Sequence, residues 1–448
     1  MSTTQSPPPE AAPARRTRGF SFRTFDSLKQ VEFRWLFASL LGQMAAIQMQ
    51  ILMRSYVVYE LTASFAAIGV VALASAVPML LLSVFGGVLA DRMPRKQILQ
   101  IGHVLNGGFA FLIATLLLLD VLTVEHLFVI ALLQGTVLAL TISAGQAIVP
   151  EVAGMERLMN AVSLNAAGMS FMRLVAPAVA AGVIAAVGAG SAYLTIGIFY
   201  AMALLLLAPV RTRRPGAMQG APPGAPAGGP GARQGAPPGA PAGGPPGGTS
   251  GGFGELIAGL RYAYEHKVIF WVLVLNFVTA ILAMPYMVQL PGYVADVFEG
   301  GPGMLAWFAA VSGAGSLLAT LVIASLPERR RGALLLGSSA LLGLSLAVYA
   351  STSVVWLGLL FMFVVGVWTA GRQALAMVII QTQVEDTHRG RVMSIFMTQI
   401  SMVLIGGFIV GLMAEATGIQ TAIGGLGLVL AVFTLGVAVF VPRLRRVT

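Results

Sequence analysis

Residues 86–99 read GGVLADRMPRKQIL and connect two apolar segments, near 64–90 and 97–120, that are each long enough to cross a bilayer. The chain around this stretch is 57% hydrophobic and only 10% charged, with a mean hydropathy of +0.85 over 448 residues. A soluble core could not bury so many apolar side chains. Because long apolar runs in lipid must form helices to satisfy their backbone hydrogen bonds, the sequence predicts an all-α, polytopic membrane protein.

The apolar segments can be counted directly. A helix needs about 20 apolar residues to cross a bilayer core that is about 30 Å thick. The sequence therefore predicts twelve transmembrane helices, near 35–59, 64–90, 97–120, 124–148, 161–187, 190–209, 268–291, 303–325, 333–351, 353–380, 392–415 and 418–441.

Lysine and arginine concentrate in every second loop of this pattern. Arg95 and Lys96 lie between spans 2 and 3, and Arg389 and Arg391 follow span 10. The intervening loops carry acids such as Glu60 and neither lysine nor arginine. Since basic loops stay in the cytoplasm, both termini are predicted to be cytoplasmic. The net charge of +10 then reflects topology and attraction to anionic lipid headgroups, and it does not predict nucleic-acid binding.

Composition also divides the chain into parts. A Gly- and Pro-rich segment repeats GAPPGAPAGGP at 220–230 and 235–245 and predicts a flexible tether. The amphipathic stretch 253–270 predicts either a helix on the membrane surface or an extension of span 7. The predicted domains are a disordered cytoplasmic arm (1–32), a six-helix bundle (33–210), a cytoplasmic linker (211–252), a second six-helix bundle with a preceding amphipathic helix (253–442) and a basic cytoplasmic tail (443–448).

The loop at 86–99 follows the pattern Gly-x-Leu-x-Asp-Arg-x-x-Arg-Lys between spans 2 and 3. This pattern resembles the signature loop of the major facilitator superfamily. IVPEVAGMERLMNAVS at 148–163 and HRGRVMS at 388–394 are similar to the branch that contains bacterial siderophore exporters and macrolide efflux pumps. The resemblance implies two pseudo-symmetric six-helix bundles in the bacterial cytoplasmic membrane. It also implies a cytoplasmic gating loop formed by Gly87, Asp91, Arg92, Arg95 and Lys96.

Three arginines, Arg54, Arg173 and Arg372, lie inside predicted spans, and no Asp or Glu lies at similar depth. Charges within a bilayer are usually functional or paired. Arg54 either contacts substrate or anchors helix 1 by reaching Glu60. The resemblance implies that helices 1, 4, 7 and 10 line the cavity. The predicted substrate-binding residues are Gln43, Gln50, Arg54, Asn276, Tyr286, Arg372 and Gln373.

Spans 4, 5 and 11 carry three further patterns. RLVAPAVAAG, which contains Arg173 and Pro177, resembles the Gly-Pro motif of exporters and predicts a bend in helix 5. ALLQGT keeps the Gln134-Gly135 pair of a drug-proton antiporter pattern, but Ala131 stands where that pattern has an arginine. Gly407 and the glycine four residues later predict close helix packing within the chain.

The sequence does not predict an enzyme. The chain has no cysteine, no H-E-x-x-H zinc motif, no nucleotide-binding G-x-x-x-x-G-K-S/T loop and no paired carboxylates inside a span. We therefore expect no catalytic residues, no metal and no other cofactor.

The leading hypothesis is a secondary active exporter that moves an amphipathic small molecule, such as a drug, a macrolide or a siderophore-like compound, in exchange for protons. Its protons would have to use Asp91, Glu60, His103 or the charge of the substrate. The chain is expected to act as a monomer. The alternative is a lipid or lysophospholipid transporter of the same fold, because a cationic cavity without carboxylates suits a phosphate head.

Overall fold

The computed structural model describes residues 27–154, 157–211, 252–325 and 330–447. Side chains at 83–92 are not described, so those of the predicted gating residues Gly87, Asp91 and Arg92 lie outside the described part. The described residues form only helices: α1 Val31–Thr62, α2 Phe65–Arg92, α3 Arg95–Leu118, α4 Val124–Ala153, α5 Leu158–Leu207, α6 Gly252–Glu265, α7 Lys267–Leu282, α8 Tyr286–Val297, α9 Pro302–Ser325, α10 Arg331–Ala350, α11 Val355–Gln383, α12 Asp386–Met397, α13 Gln399–Thr417, α14 Ile419–Phe440 and α15 Pro442–Arg445.

The predicted all-α membrane fold is confirmed. Eleven stretches within the described residues are long and apolar enough to cross a membrane. One of them belongs to α5, whose 50 residues would extend about 75 Å as a single straight helix. The backbone of α5 breaks at Gly188, where φ is 85° and ψ is 169°. This left-handed conformation favours glycine, and the break lies between predicted spans 161–187 and 190–209. We therefore count two crossings in α5 and twelve within the described residues.

Two predicted spans are discontinuous. Span 7 consists of α7 and α8, which are separated by residues 283–285. Pro285 precedes α8 and cannot donate a backbone hydrogen bond to the preceding turn. Span 11 consists of α12 and α13, which meet at Thr398. The Thr398 hydroxyl donates to the Ile395 carbonyl oxygen at 2.6 Å at this junction.

The twelve crossings form two bundles. In the first bundle α5 packs on α1 and α3, and α2 packs on α4. In the second bundle α10 packs on α14, and α9 packs on α11. The bundles meet through α2 against α13 and through α5 against α9. We call the side that carries Arg95, Lys96 and Arg331 the basic side, and the side that carries Glu60 and Glu415 the acidic side.

The amphipathic stretch before span 7 forms a separate helix, α6. His266 follows α6 with φ −103° and ψ 92°, which ends one helix before α7 begins. Gly259 packs against Arg391 and Ile395 of α12, while Ile257 and Tyr264 are exposed. This stretch is therefore a separate helix and not an extension of span 7, and its position on the membrane surface remains a prediction.

Most of the predicted arm and most of the predicted linker lie outside the described residues, so the tether remains a prediction. The predicted disorder is wrong for residues 27–32, because Ser27 donates to Asn160 of α5 and α1 begins at Val31. Deleting residues 218–248 is expected to leave membrane insertion and transport within about twofold of the unmodified protein, because the remaining residues between Arg211 and Gly252 still reach about 30 Å. Transport assays on equal amounts of inserted protein check this. Loss of transport in a well-inserted deletion protein would show a role beyond tethering.

Candidate functional site

On the acidic side, the two bundles are joined by a carboxylate. Glu415 near the end of α13 accepts a hydrogen bond from the Ser64 hydroxyl at 2.6 Å and from the Ala66 backbone N–H at 3.2 Å. Ser64 immediately precedes α2 and Ala66 lies in its first turn, where free backbone N–H groups and the helix dipole favour an anion. Glu415 of one bundle therefore caps a helix of the other.

Close backbone packing continues this contact toward the membrane centre. A Cβ on Gly411 would lie 2.4 Å from the Phe65 carbonyl oxygen, and one on Gly69 would lie 2.7 Å from the Phe408 Cα. Buried Gln289 of α8 donates through Nε2 to the carbonyl oxygens of Phe65, at 3.3 Å, and Gly407, at 2.9 Å. The predicted close packing of the Gly407 pair within the chain is confirmed: Gly411 packs against Phe65 of the opposite bundle, and Gly407 packs against Val288 of α8 in its own bundle.

A small cavity of about 30 Å³ lies at this bundle contact. The first bundle contributes α1 and α2, and the second bundle contributes α8 and α13. The side chains around it are almost all apolar, and Arg54 is the charged exception. The lining residues are Ile51, Arg54, Ser55, Val58, Ile68, Val71, Ala72, Val288 and Leu404.

Arg54 is held by neutral partners of its own bundle. Its guanidinium donates to the Ser75 hydroxyl of α2 and, at 2.5 Å, to Oε1 of Gln134 on α4. Glu60, the partner considered from the sequence, instead accepts from the Tyr56 hydroxyl at 3.4 Å. Ala131 stands one turn before Gln134 in place of the arginine of the antiporter pattern, and Arg54 of α1 supplies a guanidinium to Gln134 instead.

The predicted glutamines of helix 1 differ in their surroundings. Gln50 is buried, and its Oε1 accepts from the Tyr200 hydroxyl of α5 at 3.3 Å. Gln43 is half-buried. Gln50 therefore points toward α5, whereas Arg54 reaches α2 and α4.

In the second bundle, the structure brings two predicted residues together. Arg372 of α11 donates through one terminal nitrogen to Oδ1 of Asn276 on α7 at 3.0 Å. Each residue is only 1% exposed. The Nε of Arg372 and the Nδ2 of Asn276 have no partner within the described ranges. A buried guanidinium thus rests on one neutral acceptor, although isolated buried charges are strongly unfavourable.

The other predicted residues of this bundle, Tyr286 and Gln373, make no hydrogen bond to that pair in the described structure. The hydroxyl of buried Tyr286 lies 3.4 Å from the Ser312 hydroxyl of α9. Gln373 is half-buried next to Arg372.

The described part of the gating loop bonds within the first bundle. Arg95 donates to the Ala147 carbonyl oxygen at 2.9 Å and to Glu151 at 3.4 Å, both on α4. Lys96 donates to the carbonyl oxygens of Ala208, at 2.7 Å, and Val210, at 2.8 Å, just beyond the end of α5. Cations at a helix C-terminus satisfy free carbonyl groups there. These two cations tie α3 to its neighbours.

Arg173 and Pro177, predicted to bend helix 5, both lie inside α5. Arg173 is exposed and Pro177 is half-buried. The non-helical backbone of α5 is at Gly188. No group of three His, Asp or Glu side chains in the described part of the chain is placed to hold a metal ion.

Sequence reasoning missed Ser64, Glu415 and Gln289 as contacts between the bundles. Glu415 was visible only as an acid on the acidic side, and its partner is 351 residues away. A polar residue such as Gln289 inside an apolar span was the one local signal.

Two family models match the chain. The model described as a transmembrane secretion effector matches residues 22–222, and the model of the Major Facilitator Superfamily matches residues 269–448. Together they cover both bundles.

Two relatives are similar over most of their length. The staphyloferrin A transporter of Staphylococcus aureus (strain NCTC 8325 / PS 47) is 24% identical over 378 residues, which are 81% of this chain and 84% of that protein. The multidrug efflux pump Tap of Mycolicibacterium fortuitum is 26% identical over 387 residues, 84% of this chain and 87% of that protein.

Solved structures share the fold. The nucleoside transporter NupG aligns with a TM-score of 0.63 and 16% identity, covering 92% of this chain and 98% of that chain. A bacterial homolog of the human lysosomal transporter Spinster, in an inward-facing and unoccupied conformation, aligns with a TM-score of 0.66 and 11% identity, covering 95% and 98%.

Proposed function

Because this chain belongs to the major facilitator superfamily of membrane transporters, we propose that it is a secondary active exporter, which moves a neutral or anionic amphipathic molecule out of the cytoplasm by alternating access in exchange for protons. The proposed cargo class is a siderophore-like compound, a macrolide or another drug. The two relatives, a staphyloferrin A transporter and a multidrug efflux pump, support this range.

The distribution of charge within the bundles is the observation that carries the proposal. Arg54, Arg173 and Arg372 lie well inside α1, α5 and α11. Every Asp and Glu in the spanning helices lies within three residues of a helix end. A cationic interior attracts anions and disfavours cationic cargo. This charge balance supports neutral or anionic compounds over lipophilic cations.

The proposed orientation places the basic side in the cytoplasm of a bacterial cell, following the positive-inside rule. The bundles then meet on the outer side, through Glu415, Gln289 and the glycine contacts. An exporter needs such a conformation to load cargo from the cytoplasm.

Proton exchange needs a titratable group, and His103 is the candidate within the first bundle. It is buried in α3, and neither ring nitrogen has a partner among the described side chains. Its ring lies 6.4 Å from that of Tyr200, whose hydroxyl donates to Gln50. This neighbourhood supports His103 as a proton carrier, with Glu60 and Asp91 as the alternatives.

Reconstituted transport tests the proposal. Proteoliposomes under an imposed proton gradient are supplied in turn with a catecholate siderophore, a macrolide, a lipophilic cation and a lysophospholipid. We expect proton movement with the siderophore or the macrolide at about tenfold or more above protein-free vesicles, and none after a protonophore. Movement of the lysophospholipid between leaflets without proton flux would replace the proposal with the lipid-transporter alternative. Coupled movement of the cation alone would refute the proposed charge preference.

A further inference from the structure

One face of α5 is exposed in the half of the helix that begins on the basic side. Ser163, Ala166, Ser170 and Arg173 are all exposed, and their spacing of three and four residues places them on one face. On the opposite side of the helix, Gly168 packs against Phe37 and a leucine of α1. The exposed face therefore points away from the α1 contact.

The part of α5 before the break at Gly188 forms one leg, and the same face is buried in the second half of this leg. Ala180, Ala181 and Ile184 continue it by helical spacing, and all three are buried. They belong to a hydrophobic core that also contains Leu305 and Phe308 of α9 in the other bundle. Since α5 and α9 pack together, this face is a bundle-to-bundle surface that is closed toward the acidic side and open toward the basic side.

Arg173 lies where the face changes from exposed to buried. It is the middle residue of the leg between Leu158 and the break at Gly188, so it lies near the membrane midplane. A guanidinium there is about 15 Å from either interface, which is too far for the side chain to reach water by snorkelling through lipid. The Ser170 hydroxyl donates to the Ala166 carbonyl oxygen at 2.9 Å, so this side chain could face lipid. Arg173 could not face lipid, because the free energy of placing a charged side chain there is too high.

Arg173 also differs from the other two arginines in its bonding. Arg54 and Arg372 donate to side chains of their own bundles. Arg173 is exposed, and the structure gives it no hydrogen bond or ion pair in the described ranges. Its five N–H donors are therefore free to bind a planar anion in a bidentate geometry.

We propose that Arg173 is a substrate-binding residue at the apex of a water-filled cavity between the bundles, where it binds a carboxylate, phosphate or sulfonate group of the cargo. The inference rests on the proposed function for the identity of this ligand as cargo. The cavity and its charge do not depend on that function. Position supports the role, because substrates of such folds bind near the midplane between the repeats.

Charged thiol reagents test the cavity without any cargo. The chain contains no cysteine, so Ser170→Cys provides a single reactive thiol one turn from Arg173. We expect this variant to react with both anionic and cationic methanethiosulfonate reagents from the basic side. We expect the ratio of anionic to cationic rates to fall by about tenfold when Arg173→Gln is added, and to be kept with Arg173→Lys.

Matched positions serve as controls. Ser163→Cys should react with a weaker anionic preference, because it lies about 15 Å from Arg173 along the helix. Ala181→Cys, on the buried part of the face, should react with neither reagent. If Arg173→Gln does not insert, the ratio of anionic to cationic reaction rates can still be compared between Ser170→Cys and Ser163→Cys. A higher ratio at Ser170→Cys would support the inference. Equal preferences at these two positions, or an unreactive Ser170→Cys, would overturn the inference.

Transport separates this inference from the proposed function. Arg173→Gln should raise the KM for an anionic cargo by about tenfold or more and leave the KM for an uncharged cargo unchanged. If the thiol reagents show a charge-selective cavity but the protein transports none of the tested compounds, the proposed cavity stands and the proposed export function is refuted. Robust export of an anion with an unchanged KM in Arg173→Gln would retain the exporter and refute the role of Arg173.

Discussion

Crosslinking Ser64→Cys to Glu415→Cys with a short bifunctional methanethiosulfonate reagent is expected to lower transport at least about 100-fold. These positions bridge the bundles on the acidic side, where the native side chains are 2.6 Å apart. Alternating access requires the bundles to separate there when the cavity opens to the other side. A covalent link removes that state, whereas loss of the native hydrogen bond alone would only shift its population.

The measurement is transport in proteoliposomes before crosslinking, after it and after reduction by dithiothreitol. Reduction should restore the initial rate, since no other thiol is present in the chain. Met413→Cys with Thr417→Cys is the matched control, because both residues lie on α13 and their link joins no second bundle. Full transport with complete Ser64–Glu415 crosslinking would mean that the bundles do not separate at this contact.

The spanning helices were predictable because backbone N–H and C=O groups must form hydrogen bonds within the protein when they lie in lipid. The long apolar runs therefore gave the twelve crossings, and the alternation of basic loops divided the loops between the two sides. Even the break at Gly188 coincided with a gap between predicted spans. The interruption of span 7 before Pro285 was not predicted, although the proline is a local signal that could have revealed it.

Contacts between distant parts of the chain were not predictable in the same way. Glu60 was considered as the partner of Arg54 because the two are close along the chain, but the guanidinium donates hydrogen bonds to Ser75 and Gln134. A helix presents each side chain to neighbours that its own sequence does not identify. The contact between Ser64 and Glu415 was not predictable for the same reason, because the two residues are 351 positions apart.

Arg173 had a local signal that the sequence analysis did not use. Ser163, Ser170 and Arg173 recur at helical spacing on one face of an otherwise apolar span. The resemblance of Arg173 and Pro177 to an exporter motif drew attention to bending instead. Only the burial of the same face at Ala180 and Ile184 distinguishes a cavity from lipid on this side of α5.

Asn276→Leu is expected to destabilise the protein by about 3 kcal/mol, because it removes the side chain that accepts a hydrogen bond from buried Arg372. Thermal unfolding in detergent, followed by intrinsic fluorescence, measures the change. Adding Arg372→Met should recover all of the lost stability, since the double variant removes the charge together with its acceptor. If other groups stabilised the guanidinium, Asn276→Leu would cost much less than this, and adding Arg372→Met would not raise the stability.

The same pair separates stability from transport. Arg372→Met with Asn276→Leu should insert normally and unfold at a temperature equal to or above that of the unmodified protein, because apolar side chains often replace a buried polar pair without loss. Its export of an anionic cargo should nevertheless fall about tenfold or more, since the second bundle would have lost its interior cation, which attracts anions. Retained export in this stable variant would assign Arg372 to helix packing alone. Loss of export together with gained stability would mean that the protein keeps an unfavourable buried charge because transport requires it.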